Sequence, residues 1–113
     1  MLITDHSSVG FEYLLLDRPL IRIDIPELIA RTDINPEYVD LICEASISVR
    51  SADEAVAAVD GCFIDGKRLS GSRREVAREL FYEPGTATER AVRELYELIE
   101  LDLPAATKSV PLT

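Results

Sequence analysis

The sequence has no tryptophan, one histidine and two cysteines among its 113 residues. A zinc site cannot be assembled from a single histidine, Cys43 and Cys62 alone, and we expect no metal site. Two isolated cysteines also do not make the disulfide framework of a small secreted protein. We therefore expect both cysteines to be buried thiols in a reducing compartment.

Basic residues are also scarce, since 12 Lys and Arg stand against 21 Asp and Glu, a net charge of −9. No basic face of the kind that binds nucleic acid is visible. No apolar run approaches the ~20 residues of a membrane helix, and the first residues do not resemble a signal peptide. We expect a cytoplasmic protein that binds no nucleic acid, with a peripheral position at the inner face of the plasma membrane as the alternative.

The residues that are present suit one small globular domain, because 47% are hydrophobic and 29% are charged. Apolar spacing and turn residues divide the chain into strands and helices. The predicted strands are 1–4, 19–24 and 46–50. The predicted helices are 8–16, a short one within 26–34, one from Asn35, one from Ser51, one from Ser72 and one from Thr86 to about Leu101.

Helix starts and helix faces can also be predicted. Capping-box patterns begin at Ser51, Ser72 and Thr86, and residues 60–71 between two of these helices are expected to form a loop. In the first helix we expect Val9, Tyr13 and Leu16 on one face. The last helix should turn five apolar residues inward: Ala91, Val92, Leu95, Leu98 and Ile99. The helix from Ser72 should expose three arginines: Arg73, Arg74 and Arg78.

Strands that alternate with helices predict an α/β fold with a parallel sheet. Three short parallel strands with flanking helices make about half of a doubly wound, Rossmann-like domain. Met1 already lies inside the first predicted strand, so the other half is expected to be missing from the front. We assign residues 1–102 to this partial domain and 103–113 to a flexible tail.

The stretch from Thr4 to Glu12 carries the chemistry. A strand ends there, and Ser7 and Ser8 stand where the next helix begins. Hydroxyls and free amides at such a point can hold a phosphate or pyrophosphate, at the sheet edge where open α/β sheets bind ligands. By itself the serine pair also fits a plain helix cap. Glu12, one turn further, could accept hydrogen bonds from the vicinal hydroxyls of a sugar.

The segment LITDHSSVGFEYLLLDRPLI closely resembles the C-terminal nucleotide-binding segment of the CDP-glycerol glycerophosphotransferase family. The matching positions are Thr4-Asp5, Ser7-Ser8, Glu12 and residues 18–21, and residues 81–91 resemble the closing segment of the family. The resemblance spans roughly residues 2–99.

This resemblance implies a GT-B architecture, in which two Rossmann-like domains enclose the active site. The family transfers glycerol phosphate from CDP-glycerol to a hydroxyl of a growing polymer, as in teichoic-acid synthesis for the cell wall. It implies that Ser7 and Ser8 hold the donor pyrophosphate, that Glu12 holds the ribose and that Asp5 shapes the turn. CDP-glycerol would be the donor substrate, no cofactor is expected, and an N-terminal GT-B domain would be the missing partner.

Position 6 departs from the family, which commonly has tyrosine where this chain has His6. His6 matches neither catalytic histidine of the family, and both of those lie upstream of the matched segment. We therefore assign no catalytic residue, expect His6 to be a neutral rim residue or a weak phosphate contact, and expect no turnover by this chain alone. For Arg22 we favour pairing with Asp24 over a phosphate contact.

Two other functions remain open. A GT-B nucleotide-sugar glycosyltransferase or a UDP-sugar 2-epimerase would use a similar turn and a similarly placed glutamate, although the Ser7-Ser8 pair favours the glycerophosphotransferases over the glycine form. A non-catalytic remnant or binding module is the second alternative.

Overall fold

The computed structural model describes residues 1–103. It shows an α/β fold with one open sheet of three parallel strands in the order β1-β2-β3. The strands are β1 (Leu2–Thr4), β2 (Leu20–Ile23) and β3 (Ile47–Val49). The helices are α1 (Val9–Tyr13, continued by a 3-10 turn at Leu14–Leu16), α2 (Pro26–Arg31), α3 (Pro36–Glu44), α4 (Ala52–Ile64), α5 (Ser70–Leu80) and α6 (Ala87–Leu98). The fold is consistent with the partial Rossmann-like domain expected from the sequence.

The chain forms two compact units, Met1–Phe81 and a second unit that begins at Tyr82. The first unit contains the sheet and five helices, and the second contains α6. The predicted tail starts at residue 103, and its remainder lies outside the described residues. No helix in the described part of the chain is long and apolar enough to cross a membrane.

The core of the first unit lies on both faces of the sheet, because successive side chains of a strand point to opposite faces. On one face Leu20 joins a cluster built by α1, α3 and α5. On the other face Ile21 packs with Val49 and with Cys62 of α4. Leu20 and Ile21 are both almost fully buried, so β2 is the centre of the fold. Cys62 is buried as predicted, whereas Cys43 is only partly buried, and both thiols are free.

The predicted face of the first helix is wrong at two of its three positions. Val9 and Leu16 are 44% and 57% exposed, whereas Gly10 and Leu14 face the core and Tyr13 packs against it as predicted. A methyl group added at Gly10 would lie 3.5 Å from the side chains of both Thr4 and Ile42. Because Gly10 has no side chain, α1 can approach the sheet along the face that contains the glycine, and Val9 and Leu16 turn outward.

The start of α5 also differs from the prediction. The connection after α4 covers only residues 65–69, and α5 begins at Ser70, so Ser72 lies inside the helix and does not cap it. The N-cap is Leu69, which has a left-handed φ of 65°. The cap predicted at Ser51 is confirmed, because the Glu54 amide donates to Ser51 Oγ at 3.1 Å. Thr86 stands at the N-cap of α6 without a side-chain capping bond.

The prediction that Arg73 lies on an exposed helix face is wrong, because the residue is only 2% exposed. Its guanidinium donates to the Asp17 carboxylate at 2.9 Å and to backbone carbonyls of Asp17, Gly66 and Arg68. A buried cation of this kind is unfavourable unless its charge is paired and its donors have partners, and Asp17 and the connection 65–69 supply them here.

The predicted inward stripe of the last helix is also wrong. No residue of α6 is buried, and Leu95, Leu98 and Ile99 are mostly exposed. Within the described part of its unit, α6 is the only secondary-structure element, so no other described element of that unit covers its apolar face.

Candidate functional site

A tight turn joins β1 to α1 and carries the residues predicted to bind the donor. The Asp5 carboxylate accepts the Ser7 amide at 2.9 Å, which is a local Asx turn. The carbonyls of Ser7 and Ser8 accept the amides of Gly10 and Phe11. This turn, residues 5–8, lies at the carboxyl end of a parallel strand.

The hydroxyls of the two serines contribute little to capping. Ser8 occupies the N-cap of α1 but makes no side-chain capping bond. Ser7 Oγ accepts the Val9 amide only at 3.5 Å, which is long for a hydrogen bond. Both serines and Glu12 are exposed. Their polar groups therefore face solvent, where a ligand can reach them.

Beside the turn, a buried guanidinium lies at the carboxyl end of β2. Arg22 is 3% exposed, and its Nη2 donates to Ser48 Oγ at 2.7 Å and contacts the Cys43 sulfur at 3.1 Å. Its Nη1 donates to the Asp24 carboxylate at 3.2 Å, so the expected pairing with Asp24 is confirmed. Its Nε is buried and has no hydrogen-bond partner among the described residues.

Asp24 is shared by two arginines. Arg50, which follows β3 and is exposed, donates to the same carboxylate at 2.9 Å. The hydrogen bond from Arg50, and then the pairing with Arg22, lowers the pKa of Asp24 below its ordinary value of 3.8. Asp24 is therefore ionised at neutral pH, and this hydrogen-bonded trio carries one net positive charge in a chain that is acidic overall.

His6 connects the turn to the end of β2. Its Nε2 accepts the Ile25 amide at 3.4 Å, and Arg22 Nη1 lies 3.4 Å from Nε2 and 3.5 Å from Nδ1. An in-plane hydrogen bond would bring one ring nitrogen close and leave the other far away. The near-equal distances therefore place the guanidinium nitrogen over the face of the ring.

Burial and then the positive charge of Arg22 lower the pKa of His6, against the opposing effect of Asp24 and Asp5. At neutral pH the ring is therefore neutral. Because Nε2 accepts a hydrogen bond, the single proton lies on Nδ1.

A shallow cleft opens next to His6, between α1 and α3. Its walls include Phe11 and Tyr38, whose rings meet edge to face with centroids 6.1 Å apart. Ser7 lies at its rim, and Val39 and Ile42 contribute apolar surface. Its volume of about 20 Å³ has room for about one water molecule, so a larger ligand must lie across its mouth.

The structure thus brings Asp5, Ser7 and Ser8 into one turn and places Glu12 one turn into α1. Sequence reasoning missed Cys43 and Ser48 as partners of Arg22, and Arg50 as the second partner of Asp24. Arg22 itself was an available signal, because a charged residue inside an apolar strand such as β2 needs partners from adjoining elements. In residues 1–103 no group of three or more His, Cys, Asp or Glu side chains could hold a metal ion.

Comparisons with known proteins give one match. Residues 1–97 match the family model described as CDP-Glycerol:Poly(glycerophosphate) glycerophosphotransferase. No curated protein and no solved structure matches the chain. The family match covers most of the sequence and includes the whole parallel sheet with its carboxyl-end turn, and the chain therefore belongs to the CDP-glycerol:poly(glycerophosphate) glycerophosphotransferase family.

Proposed function

We propose that this chain is the donor-binding portion of a glycerophosphotransferase, corresponding to the C-terminal part of a GT-B nucleotide-binding domain. Its donor is CDP-glycerol, and the reaction transfers glycerol phosphate to a hydroxyl of a cell-surface polymer of the teichoic-acid type. The observation that carries the proposal is the turn 5–8, whose two serine hydroxyls are exposed at the carboxyl end of a parallel strand. We expect the protein to act in the cytoplasm or at the inner face of the plasma membrane.

The turn offers a set of donor contacts. In this proposal Ser7 and Ser8 donate hydroxyl protons to pyrophosphate oxygens, and Glu12 accepts from the ribose hydroxyls. Asp5 holds the turn in shape through the bond that it accepts from the Ser7 amide. The excess positive charge of Arg22 and Arg50 over Asp24 supports anion binding at this edge despite the acidity of the chain.

Transfer itself is an in-line attack by the acceptor hydroxyl on the phosphorus of the donor, with CMP as the leaving group. Such a reaction depends mainly on positioning and on stabilisation of charge. His6 is a poor candidate for the base that takes the acceptor proton, because its Nε2 accepts the Ile25 amide and Arg22 lies over its ring. We therefore propose that the catalytic bases come from an N-terminal GT-B domain and that this chain alone binds the donor without turnover.

The test is titration calorimetry of the purified chain with CDP-glycerol, CMP and UDP-N-acetylglucosamine. A Ser7→Ala/Ser8→Ala double variant is compared with Ser72→Ala, a matched control inside α5. We expect CDP-glycerol to bind to the wild type and to Ser72→Ala, and the double variant to lose at least about tenfold in affinity, the effect of losing hydrogen bonds to a charged ligand.

Two outcomes would contradict this proposal. Preferential binding of UDP-N-acetylglucosamine would redirect the assignment to a nucleotide-sugar enzyme. No binding by a folded chain would remove the donor-binding role from this part of the protein.

A further inference from the structure

We propose that Arg22 is a positioning residue for the turn 5–8, acting through the ring of His6. The inference rests on the proposed function, because it concerns how the serines of that turn are held for the donor. In this proposal the turn is supported by a residue of β2, the central strand of the sheet.

The location of Arg22 is the first argument. Burying a guanidinium among apolar strands is unfavourable unless its charge is paired and its N–H donors have hydrogen-bond acceptors. Removing one of these partners leaves the buried charge incompletely compensated, which destabilises the fold. Arg22 contacts four separate places in the fold: His6, Asp24, Cys43 in α3 and Ser48 in β3. These contacts fix the guanidinium tightly, so it can serve as a rigid platform.

His6 is the part of the turn that rests on this platform. Its ring lies against Arg22 Nη1, and its Nε2 accepts the Ile25 amide just beyond β2. The side-chain hydrogen bonds of Asp5 and Ser7, by contrast, stay within two residues along the chain. The contact of His6 is therefore the side-chain connection between this turn and the end of β2, and the orientation of the serine hydroxyls depends on it.

The protonation of His6 offers a way to observe this coupling. An added proton would place a second positive charge against Arg22, while Asp5 and Asp24 would attract it, and Tyr38 of α3 lies across the cleft. The balance lowers the pKa of His6, with burial as the larger cause and Arg22 as the second. Without Arg22 the pKa should rise toward its ordinary value of 6.5.

The experiment needs no ligand for its first part. NMR follows the His6 ring and the amides of Ser7 and Ser8 in the full chain between about pH 5 and pH 8, the range in which histidine titrates. We expect both amides to shift with the His6 midpoint in the wild type. The midpoint should move upward in Arg22→Met, and the amide response should vanish in His6→Gln, which keeps an acceptor but does not titrate.

Calorimetry with CDP-glycerol is the second part. Arg22→Met should weaken binding by about tenfold, because the serine hydroxyls lose the support that orients their hydrogen bonds to the charged donor. The matched control is Arg78→Met on the exposed face of α5, and it should leave the affinity unchanged. Within residues 1–103, the side chain of Arg78 bonds only to the backbone carbonyl of Arg74.

The outcomes separate the two proposals. If the wild type does not bind CDP-glycerol, the proposed function fails, and the NMR titration still decides the role of Arg22. Ser7 and Ser8 amides that ignore the titration of His6 would overturn the positioning role, and so would equal effects of Arg22→Met and Arg78→Met. If Arg22→Met does not fold, the wild-type and His6→Gln titrations remain the test.

Discussion

Arg73 and Asp17 are 56 positions apart in the sequence, yet Nε of the arginine donates to a carboxylate oxygen of the aspartate at 2.9 Å. The arginine is almost completely buried, and the aspartate, which has a left-handed φ of 47°, ends the 3-10 turn that follows α1. The pair thus ties the start of α5 to the connection before β2, and Ser70 adds a hydrogen bond to the same carboxylate.

Replacing Asp17 should destabilise the first unit. Asp17→Asn keeps the shape and tolerates the left-handed backbone, but it removes the charge that balances buried Arg73. We expect a loss of about 1–3 kcal/mol in the free energy of unfolding, below the usual cost for a buried pair because the carboxylate is 35% exposed to solvent. Urea denaturation measures it.

Arg74→Met is the control for this substitution, since Arg74 is exposed and lies 4.0 Å from the same carboxylate. It should change the free energy of unfolding by less than about 0.5 kcal/mol. Similar losses in both variants would show that the burial of Arg73 is not what makes the pair important.

The carboxylate of Asp17 should also make the free energy of unfolding depend on pH in the acidic range. The Ser70 hydrogen bond, opposed by burial and reinforced by Arg73, lowers the pKa of Asp17 in the folded chain below its ordinary 3.8. A carboxyl with a lowered folded pKa stabilises the fold above its unfolded pKa, and this contribution is lost as the pH falls through the folded pKa.

We therefore expect the difference in unfolding free energy between wild type and Asp17→Asn to be largest near neutral pH. It should shrink as the pH falls below 3.8. Urea denaturation of both proteins across that range measures it, and a difference that stays constant with pH would contradict the assignment.

Two serines test where helices begin. Ser51 caps α4 through its hydroxyl, so Ser51→Ala should lower the free energy of unfolding by about 1 kcal/mol. Ser72 has the same sequence pattern but lies inside α5, so Ser72→Ala should be neutral or slightly stabilising, as alanine favours a helix interior. Thermal or urea denaturation distinguishes them, and equal losses would mean that the α5 start is misplaced.

Two glycines should respond in opposite directions to alanine. Gly71 lies in α5, and a methyl group there would meet nothing within 4 Å, so Gly71→Ala should raise the free energy of unfolding by about 0.5–1 kcal/mol. At Gly66 the added methyl would lie 3.2 Å from the carbonyl oxygen of Cys62, which is backbone and cannot move aside easily. Gly66→Ala should therefore destabilise, and a gain in stability there would show that the connection 65–69 adapts.

The architecture followed from apolar spacing together with turn residues. The residues of all three strands are mostly apolar and are separated by helical segments, which is enough to predict a parallel sheet, and the structure contains all three strands close to the predicted bounds. Helix starts with a local signal, such as Ser51 and Asn35, were also predictable, because the capping bond joins residues only two or three positions apart.

Helix faces were less predictable from the sequence. Val9, Tyr13 and Leu16 have helical spacing, yet of these three Tyr13 alone packs against the core, beside the buried Gly10 and Leu14. The spacing of apolar residues indicates which residues could be buried. How closely the helix approaches the sheet decides which of those residues are in fact buried. That approach depends on Thr4 and Ile42, neither of which belongs to the helix.

The candidate site shows the same division. The order of residues from Thr4 to Glu12 determined that a strand would end beside two serines, and the family resemblance was confirmed over residues 1–97. Only the tertiary structure showed that Arg22 is buried among His6, Cys43 and Ser48 and that Arg73 is buried against Asp17. A sequence pattern records local hydrogen bonds and the apolar period, but the partners of a buried charge come from whichever elements the packing brings within about 3 Å.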